Sequence, residues 1–163
     1  SSVQCESINQ SFSSFIMYDV MIGKIQISSA LKFCNYNLYD ISVFSFFPET
    51  PYVHQVVGSF FYGDIITYKD ISLGIFVNNK EVIEYRIHYH VPIFFEVYGI
   101  FESTQNYIID VFKFLKDNNI CSVFEIETYT FDILPCYLKL NVLFFLKMEY
   151  EWVLKNLNMG FKG

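Results

Sequence analysis

The strongest constraint on how this chain can fold is a period-two alternation of apolar and polar residues. From Lys24 onward, Ile25, Ile27, Ser29, Leu31 and Phe33 fall on one side, with Lys24, Gln26 and Ser28 on the other. The same rhythm runs through Ile71, Leu73, Ile75 and Val77, and again through Ile83, Tyr85, Ile87, Tyr89 and Val91. Successive side chains of a strand point to opposite faces, so these stretches read as strands with one face buried. Over 70–91 parity also selects a register. A three-residue loop, Asn78-Asn79-Lys80, sets Ile75 opposite Ile83, Leu73 opposite Tyr85 and Ile71 opposite Ile87, keeping one buried face consistent. Gly63–Asp64 predicts a second hairpin, joining 52–62 to 65–68. Phe15–Ile22, 41–47 and 93–101 are further strand-forming runs, the first of them followed by a turn at Gly23–Lys24.

The period changes after Phe101. Ile108, Val111, Phe112 and Leu115 recur at helical spacing, with Asp110, Lys113, Lys116 and Asp117 on the other side. This predicts a helix over 103–118, capped by Ser103 or Thr104 and stopped at Asn118-Asn119. The runs 93–101 and 120–127 flank it, giving a strand–helix–strand unit with a right-handed crossover if both strands lie parallel in one sheet. Phe124 and Ile126 then give way to Tyr129, Phe131 and Ile133, a flip that predicts a bulge near Glu127–Thr128. The Tyr150, Val153, Leu154, Leu157 stripe predicts a C-terminal helix near 148–158. Residues 136–147 read two ways. Leu138, Leu140, Val142, Phe144 and Leu146 are in phase for a strand, whereas Pro135 suits the first position of a helix. The expected fold is α+β, a single domain over 1–163. It holds a mostly antiparallel sheet of seven or more strands, a central helix and a C-terminal helix. A chain of this size buries roughly 70% of its unfolded surface and builds a core without metals or disulfides.

Composition narrows the function classes. Eleven basic residues face seventeen acidic ones, Arg86 is the only arginine, and no basic run exists. Nucleic-acid binders need clustered cations to neutralise phosphates, so nucleic acid is not an expected partner. The best candidate for a spanning segment, Cys136–Leu154, is interrupted by Lys139, Asn141, Lys147, Glu149 and Glu151, so no transmembrane segment is expected and the chain reads as soluble or peripheral. Phe and Tyr, at 19 and 13, are abundant while Ala30 is the only alanine, a usage that points to an A/T-rich genome. Cys5, Cys34, Cys121 and Cys136 include no C-x-x-C; free thiols in a reducing compartment are expected, although four cysteines allow three pairings that sequence does not select among.

Few residues point to chemistry. Glu84, Arg86, His88 and His90 share one strand face, and the H-x-H spacing lets the two imidazoles share a metal, with Glu96 following as a carboxylate. Arg86 beside them would repel a cation, so a solvated polar face is the preferred reading and no cofactor is assigned. Cys121 and Cys136 are the thiols an enzyme would use, but no cysteine has a Gly-rich turn or a basic neighbour to activate it. Glu125 with Glu127, and Glu149 with Glu151, read as solvated pairs, and no catalytic set emerges.

The 33 aromatic residues exceed what a single core of this size needs. Codon bias, a protein interface and an apolar cavity each account for such a surplus. The expected function is a non-catalytic interaction or structural protein, a subunit of an oligomer or larger assembly. The alternative is a carrier of a small apolar ligand in an aromatic-lined cavity, with a metal- or thiol-dependent enzyme third. The uninterrupted run Val142–Leu146 marks Leu143 and Phe145 as interface candidates, buried either by the chain's own helices or by a partner.

Overall fold

A computed structural model describes residues 2–34, 55–69, 71, 79, 81–127 and 141–160, the last three by their backbone alone. In chain order the elements are α1 (Ile8–Met17), β1 (Ile25–Ile27), β2 (Ser29–Cys34), β3 (Val56–Phe60), β4 (Ile65–Tyr68), β5 (Val82–Val91), β6 (Val97–Tyr98), β7 (Phe101–Ser103), α2 (Gln105–Asp117), β8 (Phe124–Ile126) and α3 (Val142–Gly160). Six strands form an antiparallel sheet in the order β4-β3-β5-β2-β7-β6, and β1 pairs with β8 in a separate two-stranded parallel sheet. The fold is α+β and mostly antiparallel, as the alternation implies.

The ten-residue β5 organises the larger sheet. Tyr85, Ile87, Tyr89 and Val91 enter one core with Leu31, Phe33, Val56 and Phe101, while Arg86, His88 and His90 occupy the other face. Phe33 sits against both Tyr85 and Phe101, with ring centroids 5.3 and 5.7 Å away. The predicted inward set breaks at one end of the strand. Ile83 is exposed and Val82 buried, because the β3–β5 register shifts between Ser59 and Phe60. The register expected across 71–91 is corrected: Tyr85 pairs with Phe33 and Gly58, and Ile87 with Leu31 and Val56, so both edges of β5 are taken and Leu73 and Ile71 are not their partners. The loop at 78–80, the strand at 41–47 and the bulge at Glu127–Thr128 fall wholly or largely outside the described residues.

The run from Lys24 is two strands rather than one. The break falls at Ser28, beyond which the chain leaves the β1–β8 pair and enters the large sheet. The strand–helix–strand unit is corrected as well. Residues 93–101 supply the short β6 and the start of a β6–β7 hairpin around Gly99 at φ 66°, whereas β8 joins β1 in the other sheet. Phe15–Ile22 forms no strand either. Ser7 caps α1 by accepting a hydrogen bond from the Gln10 N–H, and the helix continues through Met17.

A second core, of Ile27, Ile93, Ile108, Phe112 and Val153, joins β1, α2 and α3. Helix α3 begins at Val142, six residues before the expected start, because the Asn141 side-chain oxygen accepts from the Leu143 N–H. The strand reading of 142–147 is thereby replaced, and residues 143 and 145 diverge around the helix. Phe145 is buried against Phe94, centroids 5.1 Å apart, and Leu143 faces outward. Glu149, one turn after Phe145, is 3% exposed and accepts from the Ile93 N–H. Burial pushes its carboxyl up to about 7.

The β3–β4 hairpin follows the sequence reading, with Gly63 at φ 89° in its turn. Gly58, at its centre, lies under β5. A Cβ there would meet Ile66 Cγ2 and Val82 Cγ1 at 3.0 Å and Tyr85 Cε1 at 3.1 Å. Gly58→Val is therefore expected to destabilise the fold by about 1–3 kcal/mol, read as a lowered urea midpoint with an unchanged slope.

Candidate functional site: a histidine pair in an aromatic cleft

The polar face of β5 opens into a cleft among the described residues. It has a volume of about 760 Å³ and lies between the sheet, the β1–β2 junction and the helices α1 and α2. Phe12 and Phe15 of α1 and Ile108 and Phe112 of α2 contribute apolar walls, with Ala30, His88 and His90 on the sheet side and Glu6 and Glu127 as acidic groups. Phe12 also stacks on Phe114 at 5.1 Å, which ties α1 to α2, although no residue of α1 is buried.

The backbone that carries the histidines is irregular. Ala30 pairs with His90 but Leu31 pairs with Ile87, so His88 and Tyr89 make an extra step in β5. The bulge is clamped from the neighbouring segments. Thr104 Oγ1 accepts from the Ala30 N–H at 2.9 Å while the Thr104 N–H donates to the Ala30 carbonyl, also at 2.9 Å. The buried Ser29 hydroxyl donates to the Val91 carbonyl at 2.8 Å, and the His88 N–H donates to Gln55. Thr104 is spent on this clamp and makes no side-chain cap to α2; Ser103 Oγ accepts from the Gln105 N–H instead.

His88 Nε2 and His90 Nε2 come within 3.1 Å. His88 is exposed and His90 is 7% exposed. Burial, reinforced by the neighbouring His88, pushes His90 down to about 4. Glu96 lies on the exposed segment after β5, and the carboxylate found next to the pair is Glu127, whose Oε2 is 3.8 Å from His90 Nδ1. Among the described residues no group of three or more His, Cys, Asp or Glu side chains forms a metal-binding cluster. Glu127 reaches the site because its N–H donates to the Ile27 carbonyl beside the β1–β8 pair, which no local pattern in the sequence reveals.

The remaining candidates are dispersed. Glu125 pairs with Lys24 and Glu127 with His90, so those two carboxylates do not act together. Arg86 is engaged by Glu84 at 2.7 Å and donates to the Ser2 carbonyl at 2.7 Å. Cys5, Cys34 and Cys121 are free thiols. Burial pushes the Cys5 thiol up, which opposes nucleophilic use, and Cys121 Sγ donates to the Val123 carbonyl at 3.3 Å. Cys136 lies outside the described residues. No described helix is long and apolar enough to cross a membrane.

No family model, no curated protein and no solved structure matches the chain.

His90 carries a pH dependence of defined sign. The unfolded chain takes up a proton near 6.5 and the folded chain only near 4, so stability is lost as pH falls through that interval. His90→Phe should flatten the fall in urea midpoint between pH 6.5 and 4, and the His90 imidazole signals should still report the neutral ring at pH 5.5.

Proposed function

We propose that the chain is a non-catalytic structural subunit that assembles with copies of itself through the outer face of α3. The observation that carries this reading is the stripe Leu143, Tyr150, Leu154, spaced by seven and four residues and 71%, 55% and 54% exposed. It lies on the side of α3 opposite the buried Phe145, Glu149 and Val153, with Lys147 and Glu151 beside it in an i, i+4 ion pair. Apolar positions repeated on an outward helix face, bordered by charges, suit helix-to-helix association. The fold also leaves large apolar side chains exposed at the end of α1, among them Met17, Tyr18 and Met21.

Light scattering across concentration should show an oligomer. Leu143→Asp combined with Tyr150→Asp should reduce it to a monomer with an unchanged circular-dichroism spectrum, because neither side chain is part of a core. Phe145→Asp should instead unfold the chain. A wild-type monomer at high concentration overturns the reading.

The cleft favours a second reading, carriage of a small apolar ligand. Its volume lies within the range of ligand sites, and its aromatic walls converge on a few polar groups. Native mass spectrometry of the purified chain should show a co-purified small molecule, lost when Phe12→Asp and Phe112→Ala alter the walls. Ligand-free protein that takes up no apolar probe removes this reading.

A further inference from the structure

We propose that His88 and His90 form a chelating site for one divalent transition-metal ion of the zinc, nickel or copper type, open to the cleft beside α1. This goes beyond the assembly reading and does not depend on it.

The geometry of the rings carries the inference. Their centroids are 5.1 Å apart but the two Nε2 atoms only 3.1 Å, so the nitrogens lie on the facing edges of the rings. Two imidazoles bound to one tetrahedral zinc at about 2.0–2.1 Å hold their nitrogens roughly 3.3 Å apart. The observed separation nearly matches that bite. A chelate requires both Nε2 atoms to present lone pairs, with the ring proton on Nδ1. The Glu127 carboxylate, 3.8 Å from His90 Nδ1, favours a proton there and directs the His90 Nε2 lone pair toward His88.

Charge supports the same conclusion. Glu6 and Glu127 are the charged side chains lining the cleft among the described residues, and no lysine or arginine lines it. Arg86, on the same strand face, has its charge met by Glu84 and a further donor taken by the Ser2 carbonyl, which answers the repulsion that the sequence suggests. With two protein nitrogens the ion would keep open positions, filled by water or by a donor atom of a molecule in the cleft. Imidazole pairs of this kind suit zinc, nickel and copper rather than magnesium or calcium.

Isothermal titration of the intact chain with Zn²⁺, and separately with Ni²⁺, should show one ion bound per chain, with Mg²⁺ giving no heat. His88→Ala changes an exposed side chain and should abolish binding while the melting temperature without metal stays unchanged. Glu127→Gln should weaken binding about 10–100-fold. In long-range ¹H–¹⁵N spectra, Zn²⁺ should shift the Nε2 resonances of both rings. If His88→Ala lowers the metal-free melting temperature, His88→Gln serves as the second variant, and it too should lose the ion. Absence of saturable binding, or binding that survives replacement of His88, overturns the proposal.

Discussion

The pairing of β2 with β5 is the constraint on which the other parts depend. It places the two longest strands at the centre of the six-stranded sheet and buries Leu31, Phe33, Tyr85 and Ile87 between their neighbours. The pairing is interrupted once, where the chain steps over His88 and Tyr89, and that irregularity is held by bonds from Thr104 and Ser29. A bulge leaves backbone groups needing partners, and a buried one must find them or incur the cost of unpaired polar atoms. The Thr104 clamp meets that need at Ala30 and in doing so fixes the start of α2. The site and the helix beside it thus derive from one local solution to hydrogen bonding.

The polar face of β5 shows how few charges suffice when each is placed. Lys32 pairs with Glu102 at 2.8 Å, and Arg86 is held by Glu84, so the cations of the central strands are met by carboxylates on their own or adjacent strands. The face therefore ends at the histidines without a lysine or arginine in the cleft, which is lined by aromatic and imidazole rings and two acids. The aromatic surplus divides accordingly. Phe33, Tyr85 and Phe101 build the sheet core, Phe12 and Phe112 line the cleft, and Phe61 and Tyr62 stand exposed in the β3–β4 turn.

Where structure follows local pattern, the sequence is legible. The alternation along β5 and β2, the Gly63 turn and the spacing of Ile108, Val111, Phe112 and Leu115 each translate directly into an observed element. Three features were hidden because their causes are distant or smaller than a period. The end of the β1 rhythm at Ser28 depends on β8, nearly a hundred residues away, whose parallel pairing captures only Ile25–Ile27. The α1 and α3 starts depend on single capping residues, Ser7 and Asn141, inside runs whose apolar content suits either helix or strand. The site was half legible. The H-x-H spacing on a strand brings His88 and His90 together, but the adjacent carboxylate is Glu127 rather than Glu96, since sheet pairing decides which distant residue arrives.

Glu149 has a consequence for how α3 is attached. Its carboxyl is buried where the helix meets the end of β5, bonded to the Ile93 N–H, with its second oxygen lacking a partner among the described residues. An acid that ionises near 7 when folded and near 4.5 when unfolded binds its proton more tightly in the folded chain. Between those values, rising pH therefore weakens the folded state. The strain falls on the seam between helix and sheet, and Tyr98, whose hydroxyl is pushed up by burial and by this same carboxylate, offers no relief by ionising. Acidification tightens that seam, whereas it weakens the fold at the buried His90 ring, three residues before Ile93 in the chain. Two buried groups at the same end of one strand thus respond to protons in opposite directions, and the intact fold is a compromise between them.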